Sequence, residues 1–144
     1  MIKRSCYLLF LLLTTGCISL PKYASLNSTS ELRFLHPFTR VQISGSDSLF
    51  IDYGESYQVK LVGHADLVNG YLTEVKQGTL FLGSRPRGLQ EGNLYVVVTL
   101  PKLDQLIKSK SEDVRLGSIQ IHQRLYHDKL KLDITGTAIV NISA

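Results

Sequence analysis

A regular alternation of apolar and polar side chains is the feature that most constrains the fold of this chain. Because successive side chains of a strand point to opposite faces of a sheet, a period of two predicts strands with one buried face. Only residues 65–68 and 103–106 favour single turns of helix, so the sequence predicts an all-β domain. The inward positions expected from the alternation are Val41, Ile43, Leu49, Ile51, Tyr53, Tyr57, Val59, Leu61, Ile119, Ile121, Leu130, Leu132 and Ile134.

Residues 94–100 form an apolar run that Pro101 ends. Both phases of this run are apolar, so it predicts the most buried strand, covered on both faces. Glycines between the runs predict turns, and residues 83–93 predict the longest loop. The glycines expected in turns are Gly45, Gly54, Gly63, Gly70, Gly78, Gly83, Gly117 and Gly136.

An internal echo favours one all-β architecture. Residues 43–51 and 134–142 share the order Ile, Ser or Thr, Gly, Ser or Thr, two residues, Leu or Val, one residue, Ile. A looser copy begins at Ile107, and its distance from Ile134 falls within the range of about 20–50 residues that is typical of stacked repeats. We therefore predict a short β-solenoid, in which inward aliphatic side chains pile up and small residues allow the bends. The alternative is a β-sandwich built from hairpins.

The first 16 residues have the features of a secretory signal peptide. Lys3 and Arg4 precede an apolar run over residues 6–13. That run is shorter than the stretch of about 20 residues that crosses a membrane. At Gly16-Cys17 the segment resembles a bacterial lipoprotein signal, in which a small residue precedes the cysteine that receives a diacylglycerol. Thr14 departs from that pattern, which usually has Leu three residues before the cysteine.

The lipoprotein resemblance implies cleavage before Cys17 and a lipid on its sulfur. Ile18 stands where proteins retained at the inner membrane usually have Asp, so the resemblance implies a lipid anchor in the outer membrane, on its periplasmic or its surface side. Residues 17–33, polar and without a period, predict the lipidated cysteine and a flexible tether. Residues 34–144 then form the β-solenoid domain, which holds no disulfide because Cys6 leaves with the leader.

The charge of the chain gives no support for nucleic-acid binding. The sequence has 16 Lys and Arg against 12 Asp and Glu, a formal charge of +4, and two of the basic residues belong to the leader. The other basic residues mostly alternate with apolar ones, as on solvated strand faces. We therefore expect no nucleic-acid partner.

The domain resembles the family described as putative auto-transporter adhesin, head-GIN domain. The matching parts cover most of residues 38–144, namely residues 38–54, residues 57–63, Leu67 with residues 73–80, residues 96–106 and the echo around Gly136. The resemblance implies a β-solenoid of the bacterial envelope and offers no catalytic residue to carry over. The sequence stops eight residues after Gly136, where the family often continues with further repeats. We therefore expect an incomplete, uncapped C-terminal coil, in which residues 134–142 pair with another copy of the chain or with a strand of a partner.

The polar residues predict no catalytic or metal site. No Gly-x-Ser-x-Gly pattern surrounds a serine, and Glu112 with Asp113 provides too few carboxylates for calcium. The four histidines, which lack the spacing of metal ligands, are His36, His64, His122 and His127. Three acids, Asp47, Asp52 and Asp66, would support glycan cleavage only if they shared a groove.

Together these features predict a non-enzymatic module that needs no cofactor. It would be tied to the membrane by lipid and would use a rigid β face to contact an envelope protein or a glycan. The alternatives are a carbohydrate-active enzyme on a β-helix scaffold and a purely structural envelope component.

Replacing Cys17 tests the predicted anchor. Cys17→Ala removes the sulfur that accepts the diacylglycerol, so cells fed labelled fatty acid should label the wild-type protein and leave the variant unlabelled. Gel electrophoresis with fluorography measures the label, and Cys6→Ala, which alters only the leader, serves as the control. Equal labelling of the wild type and Cys17→Ala would contradict the anchor.

Overall fold

A computed structural model describes residues 28–45, 47–84, 94–109, 117–125 and 129–143. Cys17, the leader and the first part of the tether lie outside these ranges. The described residues contain one short helix, α1 (Ala65–Asn69), and one 3-10 turn (Gln123–Leu125). None of their helices is long and apolar enough to span a membrane. The strands are β1 (Ser28–Phe34), β2 (Arg40–Ile43), β3 (Ser48–Tyr53), β4 (Gln58–His64), β5 (Tyr71–Lys76), β6 (Thr79–Ser84), β7 (Tyr95–Leu100), β8 (Gln105–Lys108), β9 (Gly117–His122), β10 (Lys131–Ile134) and β11 (Ala138–Ser143).

The strands form two mixed sheets, which confirms the all-β class. The six-stranded sheet has the order β1-β4-β7-β3-β9-β11, and the five-stranded sheet has the order β10-β8-β2-β6-β5. In the six-stranded sheet the neighbours β7, β3, β9 and β11 are parallel, and in the five-stranded sheet the neighbours β6, β2, β8 and β10 are parallel. β1, β4 and β5 add antiparallel strands at one side of this parallel block.

At four places the chain passes from a strand of the five-stranded sheet to the next strand, which lies in the six-stranded sheet. These strand pairs are β2 with β3, β6 with β7, β8 with β9 and β10 with β11. They stand in the same order in both sheets. The backbone ladder continues where the chain leaves the five-stranded sheet. There the Ser44 amide donates to the Leu82 carbonyl over 3.0 Å, and the Ser109 amide donates to the Ile43 carbonyl over 3.0 Å. The Thr135 amide donates to the Lys108 carbonyl over 2.9 Å. Each strand pair is thus hydrogen-bonded to the next along the strands and at this bend.

The alternation of the sequence forms the core between the sheets. Leu49, Ile51, Val59 and Leu61 point inward and are buried in one cluster of apolar residues, as predicted. Tyr53, at the end of β3, is exposed instead, because the strand ends there and no core layer covers its ring.

The internal echo marks equivalent positions in the sheets. Ile43 pairs with Lys108, and Lys108 pairs with Ile134. Gly45 and Gly136 both follow with positive φ, 108° and 91°, a backbone conformation that glycine adopts without steric cost. These two glycines therefore bend the chain in the same way at the same level.

The looser copy was placed one residue too early. Lys108, rather than Ile107, occupies the inward position and is only 4% exposed. Its Nζ reaches the Gly45 carbonyl over 3.2 Å, so the stem lies against the core while the charge lies at the bend. The apolar pattern alone selected Ile107, since it gives no account of a lysine that extends along a core.

Three predicted turn glycines were wrong. Gly63 and Gly83 lie inside β4 and β6, and Gly117 begins β9. A Cβ on Gly83 would lie 2.5 Å from the Ser44 hydroxyl, so close approach of two neighbouring strands, rather than a turn, explains this glycine.

Two local predictions have opposite outcomes. The helical turn at residues 65–68 is confirmed by α1, where the His64 ring caps the first turn by accepting from the Asp66 amide. The helical turn at residues 103–106 is wrong, because β8 begins at Gln105 and pairs with β2 and β10. Pairing on both sides of β8 outweighs a weak local preference.

β1 lies within the segment predicted as tether, residues 17–33. It pairs with β4 over its whole length, so the sheet begins at Ser28 and not at the predicted domain boundary of residue 34. The alternation of β1 explains why the apolar pattern of the sequence did not predict this strand. Leu32 and Phe34 face outward and are exposed, while Glu31 and Arg33 turn towards the core side.

Arg33 joins the two sheets at this antiparallel side. Its Nη1 donates to the Tyr71 carbonyl over 2.6 Å and to Thr73 Oγ1 over 3.1 Å, and its Nη2 donates to the Val68 carbonyl over 3.0 Å. Its Nε donates to Glu31 over 2.7 Å, and this hydrogen bond lowers the pKa of that carboxyl. One guanidinium thus satisfies four acceptors and gives this end of the core a polar cover.

Substituting Arg33 should destabilise the domain. We expect Arg33→Ala to lower the free energy of unfolding by about 2 kcal/mol, because it leaves partly buried acceptors unpaired. Arg33→Lys should recover less than half of this, since an ammonium cannot reproduce the planar fork. Urea unfolding of a chain beginning at Ile18 measures the effect. Arg40→Ala, at an exposed site where Arg40 donates to the Gln77 carbonyl, should change it by less than about 0.5 kcal/mol. Equal stability of Arg33→Lys and the wild type would contradict the role of the fork.

Candidate functional site

The outer face of the six-stranded sheet carries a small apolar cluster. The register places Val62 opposite Tyr95 and Val97 opposite Phe50, so these four side chains from β4, β7 and β3 adjoin on one surface. The rings of Phe50 and Tyr95 have centroids 6.3 Å apart and planes tilted by 35°. We call these four residues the aromatic face. Tyr95 is 44% exposed, and the other three are half-buried.

Polar side chains border the aromatic face on the same side of the sheet. Lys60 lies opposite Val97, and Gln120 lies opposite Phe50. One row further along the strands, Gln58, Thr99 and Asp52 follow one another across β4, β7 and β3. A shallow depression beside the cluster is lined by Phe50, Ile51, Asp52, Val97, Gln120 and Ser143. Hydrogen-bonding groups thus border an exposed ring pair, and beyond Lys60 and Gln58 the exposed Leu32 and Phe34 of β1 lie on the same face.

β7 was expected to be buried on both faces, and this is wrong for one of them. Val96, Val98 and Leu100 are buried, whereas Tyr95 is exposed and Val97 is half-buried on the outer face. β7 lies between β4 and β3, and no described element packs over its outer side. The sequence contains a pattern that indicates this surface. Phe50 and Tyr95 are aromatic residues at outward positions, where the alternation expects polar ones.

The three acids considered for glycan cleavage lie on different elements or at different levels of one strand. Asp47 precedes β3 and Asp52 lies near its end, so the rise of an extended chain separates them by about 16 Å. Asp52 borders the aromatic face and accepts a hydrogen bond from the Tyr53 amide over 2.8 Å. Asp66 lies in α1, beside His64. Asp47 and Asp52 are therefore too far apart to act together as a pair of carboxyls in acid–base catalysis.

The histidines within the described ranges have local roles. His64 caps α1, His122 accepts a hydrogen bond from the Arg124 amide over 3.2 Å, and His36 is exposed. Residues 28–45, 47–84, 94–109, 117–125 and 129–143 contain no group of three or more His, Cys, Asp or Glu side chains that could hold a metal ion. His127, Glu112 and Asp113 lie outside these ranges.

Comparison with known families identifies the domain. A family model described as "Putative auto-transporter adhesin, head GIN domain" matches residues 37–144. The chain belongs to this family. The head-GIN match begins just before Phe38 and includes the aromatic face and all strands from β2 onward; β1 precedes it. No curated protein matches the sequence.

Solved structures share the fold of this head-GIN domain. A putative adhesin from Bacteroides fragilis is 16% identical, with a TM-score of 0.57 over 82% of this chain and 53% of its own. A putative adhesin from Parabacteroides distasonis is 14% identical, with a TM-score of 0.57 over 80% and 56%. A putative lipid binding protein from the same species is 12% identical, with a TM-score of 0.51 over 81% and 59%. The chain therefore spans little more than half the length of these structures.

Substitutions on the two faces of the six-stranded sheet should separate surface from core. We expect Phe50→Thr and Tyr95→Thr each to lower the free energy of unfolding by about 1 kcal/mol, the value typical of an exposed aromatic pair. Ile51→Thr, which places a hydroxyl in the core, should cost more than about 3 kcal/mol. Urea unfolding monitored by circular dichroism measures all three, and Thr keeps the strand preference constant. A cost at Phe50 equal to that at Ile51 would assign the aromatic face a structural role.

Proposed function

We propose that this chain is a non-enzymatic, adhesin-like binding module of the bacterial cell envelope. Its aromatic face binds glycan, its domain is a short β-solenoid, and a lipid on Cys17 holds it to the outer membrane. The observation that carries the proposal is the exposed Phe50–Tyr95 pair, bordered by hydrogen-bonding side chains on a rigid sheet.

The solenoid reading rests on the parallel pairing. Four strand pairs stack in the same order in both sheets, and the backbone ladder continues at the bends after β2, β8 and β10. Stacked coils have this arrangement, whereas hairpins of a sandwich pair antiparallel. β1, β4 and β5 act as a cap on the stack.

The size of the aromatic face favours a glycan over a protein. Val62, Tyr95, Val97 and Phe50 lie on three adjacent strands, which span about 10 Å at a strand spacing of about 4.8 Å. A stable protein–protein interface covers about 800 Å² on each partner, several times this apolar footprint. One or two sugar rings match it.

The chemistry of the border also suits a sugar. A pyranose ring has an apolar C–H face that stacks on an aromatic ring, and hydroxyls at its edge that need hydrogen-bond partners. Phe50 and Tyr95 would supply the stacking surface. Gln58, Thr99 and Asp52 lie one row away, where they would bind the hydroxyls.

Binding without catalysis agrees with the comparisons and the geometry. The family and three of the similar solved structures are described as putative adhesins. Asp47 and Asp52 lie about 16 Å apart along β3, whereas the two carboxyls of a glycosidase lie within about 5–10 Å of each other. The scattered basic residues of the sequence favour no nucleic-acid partner.

The envelope location is supported by two independent features. The family description names an auto-transporter adhesin, which acts at the cell surface. The leader ends in Gly16-Cys17, the site at which a lipoprotein signal is processed. Residues 17–27 remain as the lipidated cysteine and tether, since β1 begins at Ser28.

Co-sedimentation with insoluble envelope polysaccharide tests the proposed ligand. A chain beginning at Ile18 should bind peptidoglycan or capsular polysaccharide from a Bacteroides strain, and Tyr95→Thr should weaken binding at least about tenfold through the loss of a stacking ring. Phe81→Thr is the matched control, because Phe81 lies on the outer face of the other sheet and its loss should leave binding unchanged.

Three outcomes would contradict this proposal. Binding that Tyr95→Thr and Phe81→Thr weaken equally would remove the aromatic face as the site. Loss of binding after protease treatment of the envelope fraction would indicate a protein ligand. Release of soluble sugar during incubation would indicate an enzyme.

A further inference from the structure

The two ends of the strand stack differ in chemistry. At the β1/β5 end, Glu31, Arg33 and Thr73 form a polar hydrogen-bonded layer over the core. At the β10/β11 end, the positions in phase with the core are aliphatic: Leu132 and Ile134 on β10, and Ile142 on β11.

These aliphatic side chains continue the rows of the core, but they are exposed to solvent. Leu132 is 39% exposed, Ile134 37% and Ile142 48%, whereas Leu106 and Ile121, one strand inward, are fully buried. We call Leu132, Ile134 and Ile142 the open end. Exposed aliphatic side chains cost about 25 cal/mol per Å² relative to burial, so covering this surface is favourable.

The backbone of the open end is also available for pairing. Within the described ranges β10 pairs with β8 alone and β11 with β9 alone. Each strand therefore presents one edge of N–H and C=O groups to solvent, and neither contains a proline or a bulge that would block a further strand.

The charges on β10 indicate what covers this edge. Lys131 Nζ lies 3.3 Å from Asp133 Oδ2 on the outer side of the strand. The hydrogen bond from Gln105, followed by the one from Lys131, lowers the pKa of Asp133, so this carboxylate stays ionised at neutral pH. If β10 pairs antiparallel with an identical strand about Leu132, Lys131 of each copy faces Asp133 of the other. The edge is thus complementary in charge to itself.

We propose that a second copy of this chain covers the open end. β10 pairs antiparallel with the same strand of the partner subunit, and β11 does likewise, about one two-fold axis. Leu132 of one copy then packs on Leu132 of the partner subunit, Ile134 lies opposite the partner's Leu130, and Ile142 joins the same apolar layer. A second copy matches both strand edges at their correct separation, which a single added strand would not. This inference is independent of the proposed glycan ligand.

The size of the open end sets the expected affinity. β11 is about 20 Å long, and the two sheets lie about 10 Å apart, so each copy contributes a few hundred Å². This is at the low end for specific interfaces. We therefore expect a reversible dimer with a Kd of the order of tens of micromolar, fully dissociated at low micromolar concentration.

Sedimentation velocity from about 1 µM to about 500 µM tests the dimer. A chain beginning at Ile18 retains every described element and carries no lipid that could drive association. Ile142→Lys should raise the Kd at least about tenfold, because it places a charge in the packed layer. Ile139→Lys is the matched control. Ile139 is 52% exposed on the opposite face of the same strand, so the change should shift the Kd by less than about twofold.

Charge reversal provides a second test that leaves the apolar packing intact. Asp133→Lys should abolish the dimer by placing like charges opposite each other, and Lys131→Asp with Asp133→Lys should restore it. Circular dichroism confirms that each variant is folded. A monomer at every concentration, growth beyond a dimer, equal effects of Ile139→Lys and Ile142→Lys, or no rescue by the double reversal would each overturn the proposal.

Discussion

Parallel hydrogen bonding between strands that are distant in sequence supports the rest of this structure. β2 lies between β6 and β8, and β3 lies between β7 and β9, so the first strand pair of the parallel block occupies its middle. Arg40 pairs with Thr79, 39 residues later in the chain, and with Gln105, 65 residues later. The core forms only once these long loops have closed, and this raises the entropic cost of reaching the native state.

The core and the aromatic face are two consequences of the same register. Because every strand alternates, one row of pairing buries Leu49, Val96 and Ile119 on the inside and presents the next row to solvent. Phe50 adjoins Tyr95 only because β3 and β7 are parallel neighbours, although 44 residues lie between them. The aromatic face therefore depends on the same strand pairing that forms the core.

Local pattern predicted much of the fold from sequence. The alternation gave the inward residues of β2, β3, β4 and β9, and the echo gave the equivalence of Ile43 and Ile134. The order of the strands could not be predicted from the sequence. Alternation indicates which face of a strand is buried, but it does not indicate which strands are neighbours in a sheet. The expected burial of β7 on both faces was wrong for another reason, because no described element packs over the outer face of its sheet.

The candidate site was less accessible to sequence reasoning than the fold. Phe50 and Tyr95 stand out individually, but their contact depends on the pairing of β3 with β7. Lys108 shows the opposite case, in which a charged residue occupies a core position because its stem reaches the Gly45 carbonyl at the bend. β1 was missed because its inward residues, Glu31 and Arg33, are polar.

The order of the strands also gives the molecule a direction. β1 and β11 occupy opposite edges of the six-stranded sheet, five strand spacings or about 24 Å apart. The polar rim with Glu31 and Arg33 therefore lies at one end of this axis, and Ile142 lies at the other. The aromatic face lies on the flank between them, parallel to this axis. A chain held ahead of β1 thus has distinct near, lateral and distal surfaces, each with its own chemistry.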